Sequence, residues 1–499
     1  VARTARKQIL KRTRGHYPAP LAAVRAVVNG SRRRLADGLE REAALVGDLI
    51  AGDISKNLMA IFGDSEGARH LRVPTDAGGE WPRGGSVGVL GAGVMGAGIA
   101  HLLLDRRHFV RLRDLSAEAL QKGLEHIGSL LNKQVKRRRK TPLQRDEITS
   151  RLTHTTGVEG FGRTDALIEA IVEILAVKRK ALAEIEPHIG PETLFLSNTS
   201  ALSITALQEG ARHPERVVGL HFFNPVHRMP LVEVIPGEGT ASWAVAKTVA
   251  LAQALGKLPV VVKDSPGFLV NRLLLPYLGA ACRLLEEGIP GPVIDRAALD
   301  FGLPMGPLRL LDEVGIDIAA EVGGTLHQAF GDRARPSPLL QRMADKEWLG
   351  QKSGIGFYRH EGQASGSATL PWNEGVETGS SPGGGRLPGD AEIVFALLDP
   401  MIDEAARCLE EGVVTGAGQV DLAMVMGTGF PAFRGGLLRH ADRIGLGGIV
   451  ERLERHARDG RGAAPCELLR RLARDGARFH GTTKNPAATE SPERHPSRV

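Results

Sequence analysis

The sequence SVGVLGAGVMGAGIAHLLLDRRHFVRLRD, residues 86–114, holds the most informative pattern in the chain. A short apolar run at residues 87–90 leads into GAGVMG at 91–96, and an Ala/Leu-rich helical pattern follows at once. A second apolar run at 109–112 ends at the acidic residue Asp114. This order predicts a strand, a tight glycine turn, a helix and a second strand.

Each glycine of this turn has a role in binding a dinucleotide. Gly91 allows the tight turn, Gly93 lets backbone amides approach a pyrophosphate, and Gly96 lets the helix pack closely on the strand. The helix N-terminus adds unpaired N–H groups and a partial positive charge. Asp114, 21 residues beyond Gly93, is spaced to bind a ribose 2′-hydroxyl, which favours NAD over NADP. Arg113 weakens this preference, because an arginine near the ribose can accept a 2′-phosphate.

The composition of the 499-residue chain limits the class of protein. Its 42% hydrophobic and 24% charged residues are typical of a soluble globular protein, with roughly two to four domains at this length. Only 4% of the residues are aromatic, which argues against a stacking surface for nucleic acid. The net charge of +7 suits an enzyme for polyanionic substrates.

The cysteines and the apolar runs indicate the compartment. The three cysteines are far apart and form no CxxC pair, so we expect neither a disulfide framework nor a metal site. No apolar run reaches the roughly 18 residues of a membrane span, and no signal-peptide core lies near residue 1. We therefore predict a cytoplasmic protein without a membrane span.

Residues 84–264 alternate strand and helix patterns, which predicts an α/β fold with a Rossmann-type, doubly wound parallel sheet. Helical patterns dominate on both sides of this region. We predict an N-terminal helical linker segment at 1–82, an NAD-binding domain at 83–264, a helical C-terminal domain at 265–360, a Gly/Ser/Pro linker at 361–390, a second helical domain at 391–480 and a disordered tail at 481–499.

The two helical domains share an internal repeat. RLLEEGIPGPVIDRAALDFGLPMGP at 283–307 returns as RCLEEGVVTGAGQVDLAMVMGTGFPAFRG at 407–435. Both copies carry Glu-Glu-Gly, then an aspartate (Asp295 or Asp421), then a glycine and a proline before a further helix. A duplicated all-α domain explains this similarity, with each copy burying its apolar face on the other.

Polar side chains accompany several predicted strands. Glu173, Ser200 and His221 each come at or beyond the end of a strand, and Glu233 lies within another. In a parallel sheet, these ends share the edge at which ligands bind. A histidine there suits removal of a hydroxyl proton during hydride transfer, and a carboxylate on its other nitrogen would orient the ring. A lone histidine at a strand end more often has a structural role, so both interpretations of His221 stay open.

Three longer motifs resemble the 3-hydroxyacyl-CoA dehydrogenase family. They read SNTSALSI at 197–204, GLHFFNPVHRMPLVEVI at 219–235 and KDSPGFLVNRLL at 263–274. The HRMPLVE portion is most similar to the large subunit of bacterial fatty-acid oxidation complexes, and the resemblance extends over residues 16–480. It implies NAD-dependent oxidation of an L-3-hydroxyacyl-CoA to the 3-oxoacyl-CoA in fatty-acid β-oxidation.

The resemblance also implies roles for single residues. In the family, the histidine of HFFNP is the catalytic base and the glutamate of LVEVI its partner, which correspond to His221 and Glu233. The last serine of SNTS and the asparagine of VNRLL contact the reacting end of the substrate, which points to Ser200 and Asn271. The glutamate of the EAxVE motif contacts the cofactor, which points to Glu173.

The chain departs from the family pattern at two positions. Ala201 replaces the small hydroxyl residue usual after SNTS, and Ile174 replaces the amide common after EAxVE. Neither change removes a proposed catalytic group. The family's helical arm after the second strand contacts CoA, and here it carries KRRRK at 136–140. For this basic run, a solvated helix face and a contact with substrate phosphates are both open.

Partners and alternatives follow from the same comparison. We predict an acyl-CoA substrate, a thiolase subunit or self-association, and no nucleic acid. The enoyl-CoA hydratase/isomerase domain of the multifunctional subunit has no counterpart in these residues, so we expect no hydratase activity from this chain. Two alternatives remain: a non-catalytic or CoA-binding scaffold remnant of such a subunit, and a related NAD(P)-dependent dehydrogenase of a 3-hydroxy acid without CoA.

Overall fold

The computed structural model describes residues 2–31, 33–76, 79–360, 370–376, 378–379 and 387–481. Its centre is a sheet of eight strands: β1 (Ser86–Leu90), β2 (Phe109–Arg113), β3 (Leu152–Thr155), β4 (Ala166–Glu169), β5 (Leu194–Ser197), β6 (Val217–Phe222), β7 (Leu231–Pro236) and β8 (Leu258–Val261). The strands lie side by side in the order β3-β2-β1-β4-β5-β6-β7-β8.

Strands β1 to β6 are parallel and have the order of a Rossmann-type fold. The predicted doubly wound parallel sheet is confirmed, with the difference that its last two strands run in the opposite direction. β7 is antiparallel to β6, and β8 is parallel to β7. Residues 223–230 between β6 and β7 are too few for a parallel crossover, which needs a dozen or more residues, so the chain turns back directly.

Twenty α-helices are described around this sheet. Four precede it: α1 (Ala2–Thr13), α2 (Pro18–Gly30), α3 (Leu35–Ala51) and α4 (Asp53–Arg69). Six lie between or beside the strands: α5 (Val94–Asp105), α6 (Ala117–Lys136), α7 (Pro142–Thr149), α8 (Leu175–Ile185), α9 (Ile204–Gln208) and α10 (Ser242–Ala254).

The other ten helices form two successive groups. The first comprises α11 (Val270–Glu286), α12 (Gly291–Phe301), α13 (Pro307–Val314), α14 (Ile316–Phe330) and α15 (Pro338–Asp345). The second comprises α16 (Asp390–Glu410), α17 (Ala417–Thr428), α18 (Leu437–Ile444), α19 (Leu446–Arg458) and α20 (Glu467–Arg474). Among the described helices, none combines the length and apolar composition needed to cross a bilayer.

The predicted linker and tail lie largely outside the described residues. The linker prediction covers 361–390, of which only 370–376, 378–379 and 387–390 are described. The tail prediction covers 481–499, of which only residue 481 is described. Both therefore stay predictions.

Helix α4 connects the N-terminal helices to the rest of the molecule. The Asn57 side-chain amide donates to the Phe433 carbonyl at 2.9 Å, next to the second helical group. The Gln253 amide, at the end of α10, donates to the carbonyls of Ala68 and Leu71, both at 3.1 Å. The N-terminal segment thus contacts both the sheet region and the second helical group.

Two hydrophobic clusters form the core. One lies on the sheet face covered by α5, α6 and α10 and includes Val89 and Leu103. The other runs without a break from Phe195 in the sheet through Leu273 in α11 to Ile402 in α16. Because the second cluster is continuous, the sheet and both helical groups share a core and stabilise one another.

The internal repeat has a clear structural basis. Asp295, on α12, accepts hydrogen bonds from two backbone N–H groups in the first turn of α13, at 2.9 and 3.0 Å. Asp421, on α17, does the same for the first turn of α18, at 2.6 and 3.2 Å. A Cβ at Gly306 or Gly436, just before these helices, would collide with the aspartate. The repeated Asp and Gly therefore form the same buried helix cap in each of the two copies.

We predict that Asp295→Ala lowers the free energy of unfolding by about 1–3 kcal/mol, because buried N–H groups lose their acceptor. The Tyr358 hydroxyl, which donates to Asp295 at 2.8 Å, loses its partner as well. Asp300→Ala, exposed on the same helix, is the control and should change the value by less than about 0.5 kcal/mol. Urea unfolding followed by circular dichroism measures both, and equal stability of the two variants would contradict the cap.

Candidate active site

The glycine turn between β1 and α5 is shaped by contacts within the protein at two of its three glycines. Gly91 has φ +98°, a left-handed value that favours glycine, and a Cβ there would collide with the Ala170 carbonyl. A Cβ at Gly96 would collide with the Gly91 carbonyl. At Gly93, by contrast, a Cβ would meet no atom within 4 Å. The open space at Gly93 is what close approach of a pyrophosphate requires, so the turn fits NAD.

The groups around the turn also suit a dinucleotide. Gly93 is the N-cap of α5 and brings no side-chain acceptor, so the first N–H groups of this helix are available to phosphates. The Asp114 carboxylate lies beside the turn, accepting from the Ala92 N–H at 2.8 Å and from the Ser116 N–H at 3.1 Å. The Arg113 side chain is instead buried and paired with Glu184 on α8.

His221 and Glu233 lie directly opposite each other on the adjacent strands β6 and β7. The His221 Nδ1 atom is 2.7 Å from the Glu233 Oε2 atom, and both residues are buried. Because an ionised carboxylate only accepts hydrogen bonds, we assign the ring proton to Nδ1, which leaves Nε2 with its lone pair. Nε2 makes no hydrogen bond with the residues that the structure describes, so it is free to act as a base.

The same carboxylate reaches the helical region. The Glu233 Oε1 atom accepts hydrogen bonds from the backbone N–H groups of Leu269, at 3.0 Å, and Val270, at 2.9 Å. These residues form the N-terminus of α11, whose partial positive charge stabilises a carboxylate. The Phe268 ring, just before them, lies 6.0 Å from the His221 ring.

Ser200, Asn271 and Glu173 lie in one connected network. The Asn271 side-chain amide donates to the Ser200 carbonyl at 3.0 Å. The Glu173 carboxylate accepts from the Ser200 N–H at 2.6 Å and from the Thr199 hydroxyl at 2.5 Å. Because Asn271 follows the residues that Glu233 caps, all five predicted residues lie in one chain of contacts that joins the sheet edge to α11.

Sequence reasoning missed two residues that support this network, Asn198 and Lys178. Asn198 accepts from the Phe222 N–H at 2.8 Å and so joins the ends of β5 and β6. Lys178 is fully buried, with its Nζ atom 2.7 Å from Glu169 and 3.2 Å from Glu173. A lysine at the start of an otherwise apolar helix face was the available signal, but its two partners come from separate segments and emerge only in the fold.

The basic run after α6 lines a pocket of about 280 Å³, the basic pocket. Its wall consists of His101, Leu130, Lys133, Gln134, Arg137, Arg139, His227 and Arg228, with no carboxylate among them. The lysine and the three arginines form no ion pair within the described part of the chain. His101 is 2% exposed, and neither ring nitrogen has a described partner. Burial lowers the pKa of His101 to about 4. Such a wall suits an anionic group.

Comparison with known families defines the class of the protein. The family model of the 3-hydroxyacyl-CoA dehydrogenase NAD binding domain matches residues 86–265. The model of the 3-hydroxyacyl-CoA dehydrogenase C-terminal domain matches 267–360 and again 393–485, so the repeat consists of two copies of one domain. The fold is thus that of an NAD-dependent oxidoreductase. The chain belongs to the 3-hydroxyacyl-CoA dehydrogenase family.

Individual relatives agree with this assignment. The chain is 38% identical over 478 residues to the fatty acid oxidation complex subunit alpha of Vibrio vulnificus, covering 95% of this chain and 67% of that protein. It resembles the solved structure of 3-hydroxybutyryl-CoA dehydrogenase from Escherichia coli with 31% identity and a TM-score of 0.68, covering 78% of this chain and 98% of that one. The dehydrogenase part of multifunctional enzyme 1 from C. elegans has 25% identity and a TM-score of 0.59, with coverage of 83% and 98%.

We predict that Gly93→Ala weakens NAD binding by about tenfold or more, because the methyl group takes the space that a pyrophosphate needs. The free energy of unfolding should change by less than about 0.5 kcal/mol, since the methyl group meets only open space in the protein. Gly128→Ala, at an equally open position on α6, is the matched control. Calorimetric titration with NAD measures the effect, and wild-type affinity of Gly93→Ala would refute this role of the turn.

Proposed function

We propose that this chain oxidises L-3-hydroxyacyl-CoA to 3-oxoacyl-CoA with His221 as the catalytic base. The observation that carries the proposal is the buried His221–Glu233 pair, whose Nδ1–Oε2 hydrogen bond leaves Nε2 without a partner among the described residues. Nε2 accepts the proton of the 3-hydroxyl group as the hydride leaves the same carbon. NAD on the glycine turn supplies the hydride acceptor.

Glu233 orients the base and stabilises it after proton transfer. Its hydrogen bond to Nδ1 fixes the ring and the tautomer, and its negative charge stabilises the imidazolium that forms. The two N–H groups of α11 hold the carboxylate in place at 3.0 and 2.9 Å, so that it does not turn away from the ring. Glu233 is therefore a positioning residue in this scheme, although it touches the base directly.

Ser200 and Asn271 orient the substrate oxygen. The Ser200 backbone is fixed by Glu173 and Asn271, while its hydroxyl group has no partner among the residues described. The side-chain carbonyl oxygen of Asn271 likewise has no hydrogen-bond partner among the residues described. A hydroxyl and an amide held on separate elements can bind the 3-oxygen and keep it near Nε2. Glu173 sits between this loop and the buried Lys178, and we propose that it also contacts the cofactor.

The basic pocket supports CoA as the carrier of the substrate. It gathers four cationic side chains and the buried His101 without a carboxylate, which matches the phosphates of CoA rather than a free hydroxy acid. The residues of the basic run at 136–140 have different surroundings. Arg137 and Arg139 line the pocket, whereas Lys140 is paired with Asp105 at 2.8 Å.

Assembly and domain division also remain proposals. Several relatives are named as the alpha subunit of a fatty acid oxidation complex, which supports a partner subunit such as a thiolase. For the division into domains, the described strands all lie within 86–261, and the two helical groups within 270–345 and 390–474. These bounds support the NAD-binding and paired helical domains predicted from the sequence.

We predict that His221→Ala lowers kcat by about 10²–10⁴-fold, the usual contribution of general-base catalysis. The assay follows NADH absorbance with NAD and L-3-hydroxybutyryl-CoA. His154→Ala, an exposed histidine on β3, is the control and should keep wild-type turnover. Near-normal turnover by His221→Ala would overturn the assignment. A wild-type chain that binds NAD but forms no NADH would instead favour the scaffold alternative.

We predict that Arg139→Gln raises KM for the acyl-CoA about five- to tenfold and leaves kcat unchanged, because one charge-assisted contact to a phosphate is lost. The same variant should keep its KM for the acyl-N-acetylcysteamine thioester, which lacks the phosphates. Lys122→Gln, exposed on α6 and outside the pocket wall, is the control. Equal KM changes for both substrates would count against CoA binding here, and turnover of the free hydroxy acid would favour the non-CoA alternative.

A further inference from the structure

A cavity of about 500 Å³ lies between the two helical groups. We call it the inter-copy cavity, and its volume is within the roughly 300–1,000 Å³ typical of ligand pockets. Its walls come from α11, α14, α15 and residues 330–337 of the first group, and from α16, α19 and residues 460–463 of the second. Its lining contains no residue of 86–265, so the cavity is separate from His221 and from the glycine turn.

Much of the cavity wall is apolar. The large apolar side chains that line it are Leu275, Leu278, Leu326, Phe330, Leu340 and Leu453. Prolines inside the first helix of each group, Pro276 in α11 and Pro400 in α16, add to this surface. A wall of this kind favours an alkyl chain over water.

One guanidinium in the cavity wall has no ion-pair partner among the residues that the structure describes. Five of its six arginines have carboxylate partners: Arg272 with Glu404 and Glu411, Arg333 with Glu411, Arg335 with Asp332, Arg407 with Asp403, and Arg461 with Asp459. The sixth, Arg283, is half-buried and has no hydrogen bond or ion pair with any residue that the structure describes. Glu286, on the same wall, accepts instead from the Ser337 hydroxyl at 3.1 Å.

The internal repeat explains why Arg283 is unpaired. Arg283 and Arg407 occupy the same position, three residues before Glu-Glu-Gly in each copy. Arg407 bonds to Asp403, one turn earlier, at 3.0 Å. The residue one turn before Arg283 is Gly279, and Arg283 Nη1 lies 3.6 Å from the position of a Gly279 Cβ. The first copy has therefore kept the arginine without the carboxylate that neutralises it in the second.

A half-buried guanidinium without a counter-ion is unfavourable, and an anion can relieve the cost. Burial lowers the pKa of Arg283 below its usual value, and the nearby charges of Glu286 and Glu287 offset this effect only in part. A planar guanidinium binds a carboxylate through two parallel hydrogen bonds. The neighbouring leucines and Phe330 provide a surface for an apolar group attached to that carboxylate.

We propose that the inter-copy cavity binds a carboxylate carried on an alkyl chain, of the size of a medium-chain fatty acid. Arg283 binds the carboxylate, and the chain lies along the apolar wall. This site is distinct from the one at which the thioester substrate reacts, and it takes no part in hydride transfer.

Calorimetric titration of the full chain with sodium decanoate tests this proposal. We expect one decanoate to bind per wild-type chain. Arg283→Met keeps the apolar stem and removes the charge, and it should weaken binding by about tenfold or more. Gly279→Asp installs the carboxylate found in the second copy and should weaken binding similarly while Arg283 stays in place. Arg335→Met, which removes a wall arginine that already has a partner, is the control and should bind as the wild type does.

Thermal unfolding identifies any variant that fails to fold, and Gly279→Asp then tests the site without loss of the arginine. Absence of decanoate binding to the wild type would overturn the proposal, as would equal affinity of Arg283→Met. Binding of inorganic phosphate as tight as that of decanoate would also overturn it, since a general anion site has no need of the apolar wall. Turnover of L-3-hydroxybutyryl-CoA by these variants should stay at the wild-type rate, so failure of this proposal is distinguishable from failure of the proposed reaction.

Discussion

The buried carboxylate of Glu233 is the group on which the arrangement of the candidate site depends. It accepts hydrogen bonds from the His221 ring at 2.7 Å and from the N–H groups of Leu269 and Val270 at 3.0 and 2.9 Å. A buried carboxylate without such partners would strongly destabilise the fold. The orientation of the histidine, the start of α11 and the packing of the helical region on the sheet are therefore a single arrangement. Because Asn271 follows the capped residues, the same contact brings it to Ser200.

The features predicted from the sequence are those that depend on residues close together in the chain. The turn at Gly91 and Gly96 requires glycine because the neighbouring backbone leaves no room for a Cβ, and this constraint is visible as a spacing. The reversal of β7, the burial of Lys178 between two glutamates and the position of His101 in the wall of the basic pocket depend on segments far apart in the chain. No local pattern encodes such neighbours, which is why sequence reasoning found the motifs and missed their supports.

The two helical copies share a residue that stabilises the fold and differ at a residue of the candidate site. Both keep the buried aspartate cap, because removing it would leave helix N–H groups without acceptors. At the position of Asn271, the second copy has Phe395, which packs against the Arg452 guanidinium at 4.1 Å instead of facing the sheet edge. The two copies thus differ at the site residue Asn271 and at the cavity residue Gly279, which are Phe395 and Asp403 in the second copy, while the aspartate that caps the next helix is present in both.

The contacts of Arg113 strengthen the case for NAD beyond what the sequence indicates. Adjacent residues of a strand point to opposite faces, so closeness in sequence does not place Arg113 beside the ribose site. Asp114 bonds to the glycine turn, while Arg113 is 6% exposed and paired with Glu184 on α8. To reach a 2′-phosphate, Arg113 would have to leave this partner and expose a packed side chain. The carboxylate of Asp114 would at the same time repel the phosphate, so both residues act in the same direction.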